Sequence, residues 1–163
     1  MKKITFYLLG TALFIIFLGG TYYRATAPPP PVVVEDHIII NKSRNELYFY
    51  RDNKLYKKYC VATGKTDDLT PEGWHNIVTK FKDPMGGDKN KDNPFGPRWM
   101  GLKVPEHKNG LKYGIHGTNE PESIGKYASG GCIRMNNDEV KEIYEKVEIN
   151  TPVIIYKEIF AKK

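Results

Sequence analysis

The chain has 163 residues, of which 40% are hydrophobic and 27% charged, and its formal net charge is +6. That is enough for one domain with its own core, and the composition carries no bias toward disorder. Taking Lys2, Lys3 and Arg24 from the 25 basic residues leaves 22 against 19 acidic ones. So mild an excess, with no basic stripe interleaved with aromatics, gives nucleic-acid binding no support. It fits an anionic cell surface nearby or a solvated exterior.

The first predicted element is a membrane anchor over residues 1–24. Ile4 to Tyr23 carry no charge and are mostly apolar, about the length that crosses a bilayer. Lys2 and Lys3 lie before the run, so the positive-inside rule puts everything after Tyr23 outside the cytoplasm. The alternative is a cleaved signal peptide: Ala25, Thr26 and Ala27 have the small-x-small form of a cleavage site, against which Pro28 argues. Under either reading the folded part is extracytoplasmic. Residues 25–35 form a linker, with Pro28 to Pro31 favouring a polyproline II spacer of roughly 3 Å per residue. A domain over residues 36–157 and a short tail over 158–163 complete the chain.

From Asp36 the pattern is strand-like. The runs HIIIN, ELYFYR and LYKKYCVAT are short and apolar or aromatic, and Arg51 to Asn53 reads as the hairpin turn between the last two. GWHNIVTKF and RWMGLKV predict further strands. Lys82 to Pro97 reads as a long solvated loop, of a kind that often borders a binding site. Its DKNKDN stretch imitates a calcium loop, but Asn93 and Trp99 stand where that loop needs Gly and Glu. One segment is helical: Val140, Ile143, Tyr144 and Val147 form one apolar face, with Asn136 as N-cap and Glu139 three residues on. VIIYK closes the chain as a strand. The class is mainly β with one late helix packed on the sheet.

Two cysteines outside the cytoplasm make a disulfide the default, yet their settings differ. Cys60, in a strand-like run, is expected to be buried as a small hydrophobe. Cys132 sits in SGGCIRMNN just before the helix, where backbone N–H groups and the positive helix end can depress a thiol pKa. Its candidate base is His116 in YGIHGTN, 16 residues upstream at the end of a predicted strand. A Cys–His pair is the unit of thiol acyl transfer. His75 and His37 read as strand residues and His107 as a turn residue. None of the four histidines forms a close ligand pair with Cys132, so no metal is expected.

Read in order, His116-Gly117-Thr118, a spacer, and Ser129-Gly130-Gly131-Cys132-Ile133-Arg134 resemble the active-site signature of the YkuD-type L,D-transpeptidases. The likeness extends upstream through CVATGK, TPEG and NPFGPRWMGL. It implies a β-sandwich or barrel-like sheet, and an acyltransferase working on peptidoglycan stem peptides without a cofactor. Under the resemblance Cys132 is the nucleophile, His116 the base and Gly117 the carbonyl that fixes the base's tautomer. Ser129 and Gly131 shape the catalytic loop, with an oxyanion held by N–H groups around Gly131 and Cys132. Arg134, Thr118, Trp99 and Gly130 fall to the substrate, with a structural pairing to the protein's own carbonyls or acids as the equal alternative for Arg134. Gly130 departs from the family, which commonly has His or Lys there. The resemblance further implies 3→3 cross-links, membrane attachment through the N-terminal helix, and carbapenem inhibitors. A carboxypeptidase acting on the same bond, or a silent wall-binding module, is the alternative.

Overall fold

Ile38 and Ile40 are fully buried while Ile39 between them is not, the period of two that a strand with one covered face requires. The same alternation recurs along the next strand, where Leu47 and Phe49 are buried. β1 (His37–Asn41), β2 (Glu46–Arg51) and β3 (Lys54–Cys60) form a meander. The β2–β3 turn falls where the sequence predicts it, at Asp52 and Asn53, whose φ of 48° and 58° suit Asp and Asn.

These coordinates are a computed structural model, which describes residues 36–158. The predicted anchor, its proline linker and residues 159–163 lie outside the described residues. Among the described residues no helix is long and apolar enough to cross a membrane.

The other strands are β4 (Thr63–Gly64), β5 (Gly73–Lys82), β6 (Arg98–Leu102), β7 (Gly114–His116), β8 (Tyr127–Ser129), β9 (Ile133–Arg134) and β10 (Pro152–Tyr156). Eight of the ten make one mixed sheet in the order β3-β2-β1-β10-β5-β6-β7-β9, and β4 pairs with β8 alone. Strand β10 sits mid-sheet, parallel to β1 and antiparallel to β5. At the other end β7 and β9 run parallel, with Ile115 opposite Ile133 and His116 opposite Arg134. Just past the edge strand β3, Ala62 exchanges both backbone hydrogen bonds with Arg134 in the opposite edge strand, at 2.9 and 3.0 Å. The sheet therefore curls until its two edges meet. The seam lies beside Cys132.

Helix α1 (Asn137–Tyr144) packs on β6 and β7. Val140, Ile143 and Val147 are fully buried and Tyr144 nearly so, the apolar face its sequence predicts. Each such aliphatic side chain contributes roughly 1.5–3 kcal/mol. Asn136 caps the helix by accepting from the Asp138 N–H at 3.0 Å rather than from Glu139. Lys80 Nζ donates to the Tyr144 carbonyl at 2.8 Å, satisfying an orphan acceptor at the helix's end.

One expectation is corrected. Cys60 is a free thiol and exposed, not buried: it ends an edge strand on which Tyr59 alone turns fully into the core. The segment after Lys82 is exposed over most of its first half, the solvated loop its sequence predicts, but it has a buried centre. Its backbone winds around Asn93, which is 1% exposed. The Asn93 amide donates to the carbonyls of Pro84, Gly87 and Gly96 at 2.8, 3.2 and 2.9 Å, while its Oδ1 accepts from Phe95 N at 3.0 Å.

Candidate active site

His116 ends β7 and is 3% exposed. Three groups fix its ring. Trp99, opposite it on β6, stacks on one face with centroids 5.3 Å apart and planes 15° apart. Phe95, carried there by the Asn93-centred segment, meets the ring edge-on at 5.3 Å. The Gly117 carbonyl lies 2.6 Å from Nδ1, so Nδ1–H donates to it and Nε2 is the basic nitrogen. Gly117 has to be glycine, because a Cβ there would lie 2.3 Å from Asn137 Oδ1 and 2.8 Å from Pro97 Cδ. Burial pushes the imidazole pKa down to about 4; the Gly117 carbonyl opposes this weakly and Arg134 adds to it. At neutral pH the ring is an uncharged base.

Cys132 comes immediately before β9. It leads directly into the β7–β9 ladder, in which Ile133 and Arg134 pair with Ile115 and His116, and so stands beside Gly114 at the ladder's start. The sulfur lies 3.7 Å from the Lys112 carbonyl. Its thiol is pushed up by burial, against the smaller opposing effects of the Gly114 backbone, Arg134 and Lys112. This reverses the expectation of a thiol acidified by the helix end. Strand β9 and Met135–Asn136 stand between Cys132 and the start of α1, so the sulfur does not sit on the helix N-terminus. Both groups are therefore uncharged at neutral pH.

The catalytic turn is held by Ser129, which is 1% exposed. Its Oγ donates to the Cys132 carbonyl at 2.6 Å and accepts the Gly131 N–H at 3.0 Å. The Gly131 N–H is thereby engaged within the turn and is not available as one of the two expected oxyanion donors. Gly131 has φ of 126°, and a Cβ on it would meet the Leu69 carbonyl at 2.5 Å and Tyr113 at 2.9 Å, so no other residue fits. Thr70 Oγ bridges this turn to β4, donating to the Gly131 carbonyl at 3.1 Å and accepting the Gly64 N–H at 2.8 Å.

Residues 35–155 match the YkuD family model, the L,D-transpeptidase catalytic domain. The chain belongs to this family. Among curated relatives, YqjB of Bacillus subtilis, which bears an L,D-transpeptidase name, is 47% identical over 126 residues, covering 74% of this chain and 71% of its own. YkuD of the same organism is 39% identical and is covered over 65% of its length. Of solved structures, an Enterococcus faecium L,D-transpeptidase superposes with a TM-score of 0.62 at 22% identity, over 80% of this chain and 53% of that one. L,D-transpeptidase 3 of Mycobacterium tuberculosis, solved with a faropenem-derived adduct, gives 0.56 at 18% identity, over 76% and 60%. These two likenesses establish the fold: a mainly β sheet with one helix.

Within this L,D-transpeptidase fold the four residues assigned to substrate sit differently from one another. Trp99 is 6% exposed, stacks on His116 and donates from Nε1 to the Gly110 carbonyl at 2.9 Å. Thr118 is 3% exposed, and its hydroxyl accepts the Glu120 N–H at 3.0 Å. Arg134 is ion-paired with Glu120 and donates to Ser123 Oγ at 3.4 Å, so a substrate carboxylate has to compete with Glu120. Gly130 is exposed, with nothing near its Cβ position; the His or Lys usual there would point into open space. A cavity of about 500 Å³ lies beyond Gly117, between Asp88, Thr118 and Asn137, and neither Cys132 nor His116 lines it. Among the described residues no group of three His, Cys, Asp or Glu side chains could hold a metal ion. Sequence reading missed Phe95, Asn93 and Asn137. The one available signal was the long loop itself, since a 16-residue connection in a compact domain calls for a function.

Proposed function

We propose that this L,D-transpeptidase-family chain cross-links peptidoglycan stem peptides through a Cys132 thioester. Cys132 Sγ attacks the carbonyl of an L,D-peptide bond between a diamino acid and D-Ala, while His116 Nε2 accepts the thiol proton. The tetrahedral oxyanion is held by the Cys132 N–H, a donor of the kind worth roughly 3–4 kcal/mol. The C–N bond then breaks, His116 returns the proton to the leaving D-Ala amine, and a thioester remains. An amine of a second stem attacks the thioester with His116 again as base, giving a 3→3 link and free thiol. Water in place of the amine gives a carboxypeptidase.

One observation carries the reading: a buried neutral imidazole, its Nδ1 taken by Gly117, on the strand that pairs with the short strand Cys132 leads into. The β-lactam adduct of the mycobacterial neighbour extends the reading to carbapenems as inhibitors of this chain. The domain is placed outside the cytoplasm on the predicted N-terminal anchor.

Intact mass after carbapenem treatment tests the reading. The expected result is a single adduct that peptide mapping assigns to Cys132 and that Cys132→Ala abolishes. A folded wild-type chain without an adduct overturns it. Product analysis with and without an acceptor stem separates transfer from hydrolysis.

A further inference from the structure

Trp74 is 79% exposed near the start of β5, the most exposed large apolar side chain among the described residues. Its neighbour His75 turns into the core, so the indole points out of the opposite face of the sheet, across the ladder from Ile154. The bare indole offers a flat apolar face with a polar rim around it. With Asn76, Lys103, Pro105 and Lys108 it lines a groove of about 210 Å³. Neither lysine is ion-paired among the described residues.

The groove lies on the side of the sheet's connections that leads toward Cys132. Val104 and Pro105 also line a second hollow of about 250 Å³, whose wall includes His107 and Tyr113. Tyr113 in turn lies against Gly131, and the carbonyl of its neighbour Lys112 faces the Cys132 sulfur. The aromatic platform, with ammonium and amide groups at its rim, is thus linked to the turn at Cys132 through these shared walls.

Resting on the L,D-transpeptidase reading, we infer that this groove binds the glycan strand that bears the donor stem. A pyranose ring presents a C–H face that stacks on an indole, while its hydroxyl, N-acetyl and lactyl oxygens accept from Lys103, Lys108 and Asn76. A peptide strand does not fit, because β5 is central and has no free edge to extend. The scissile bond follows the third stem residue, about 10 Å of extended chain from the sugar. A domain that grips both therefore needs its sugar site to one side of the sulfur.

The test compares the full-length chain with Trp74→Ala and Lys103→Ala/Lys108→Ala on a free tetrapeptide and on the same peptide linked to its disaccharide. Either change is expected to raise KM for the disaccharide-linked peptide about tenfold, leaving the free peptide and the carbapenem acylation rate within about twofold. Unchanged KM on both substrates, or an equal rise on both, overturns the inference. So does a dimer that Trp74→Ala dissolves, which would assign the indole to a contact between copies. A wild-type chain that neither turns over nor acylates fails the functional reading instead. The groove is then probed in Cys132→Ala by quenching of tryptophan emission with N-acetylglucosamine oligomers. Quenching lost in Trp74→Ala supports the site, and no quenching, or quenching by polyglycerol phosphate alone, overturns it.

Discussion

His75 and His116 lie in neighbouring parts of one sheet and are equally buried, at 3% exposure each. At His75 both ring nitrogens face backbone carbonyls, those of Lys103 at 3.3 Å and Pro71 at 3.2 Å. At His116 one nitrogen is held by Gly117, and the faces and edges of Trp99 and Phe95 supply the rest of the enclosure. Aromatic rings offer no lone pair at Nε2, and no hydrogen bond among the described residues engages it. Burial alone does not make a base. What matters is one committed nitrogen and one left for chemistry.

The contrast breaks first on substitution. His116→Gln is expected to lower turnover by about 10²–10⁴ with the fold intact. His75→Gln should leave kcat per folded molecule unchanged and reduce stability by about 1–3 kcal/mol, as buried carbonyls lose their donor. Urea titration beside the activity assay reads both. If the two effects were exchanged, the assignment of His116 as base would fail.

A sharper probe removes the aromatic wall and leaves the imidazole. Phe95→Ala admits water beside the ring, so kcat should drop roughly 10- to 100-fold through misplacement. The acid limb of kcat/KM should also move upward from about 4 toward 6.5, since activity requires the neutral ring and less desolvation lets it protonate sooner. A lower kcat with an unmoved limb would reduce Phe95 to a packing residue.

The smallest effect is on stability. The folded state keeps His116 neutral down to about pH 4, whereas an unfolded chain protonates it near 6.5. Between those values the unfolded chain binds the extra proton, so stability falls as pH drops from 6.5 to 4. The loss is on the order of 3 kcal/mol or less. In His116→Gln that part of the acid dependence should disappear, and an identical pH profile for wild type and variant would contradict it.

Much of this was legible in the residues. The strands and the helix followed from apolar periodicity, because each buries one face. The order of His116, Ser129, Gly131 and Cys132 carried the family. Sequence could not show that Asn93 would fold its segment back to deliver Phe95, since that depends on hydrogen bonds to Pro84, Gly87 and Gly96 that no local pattern encodes. The thiol's charge was hidden for a related reason: it depends on burial in the folded structure, while proximity in sequence pointed to the helix. Cys60 misled because an edge strand reads like a central one until its neighbours are known.

Strand β10 supplies the middle of the sheet from the far end of the domain, filling the space between β1 and β5. During synthesis, β1 to β3 and β5 to β9 are therefore joined only along the Ala62–Arg134 seam and the β4–β8 pair until residues 152–156 emerge. Such late, long-range closure makes folding slow. It also means that the sheet carrying His116 and adjoining Cys132 is completed only by the last strand to be made.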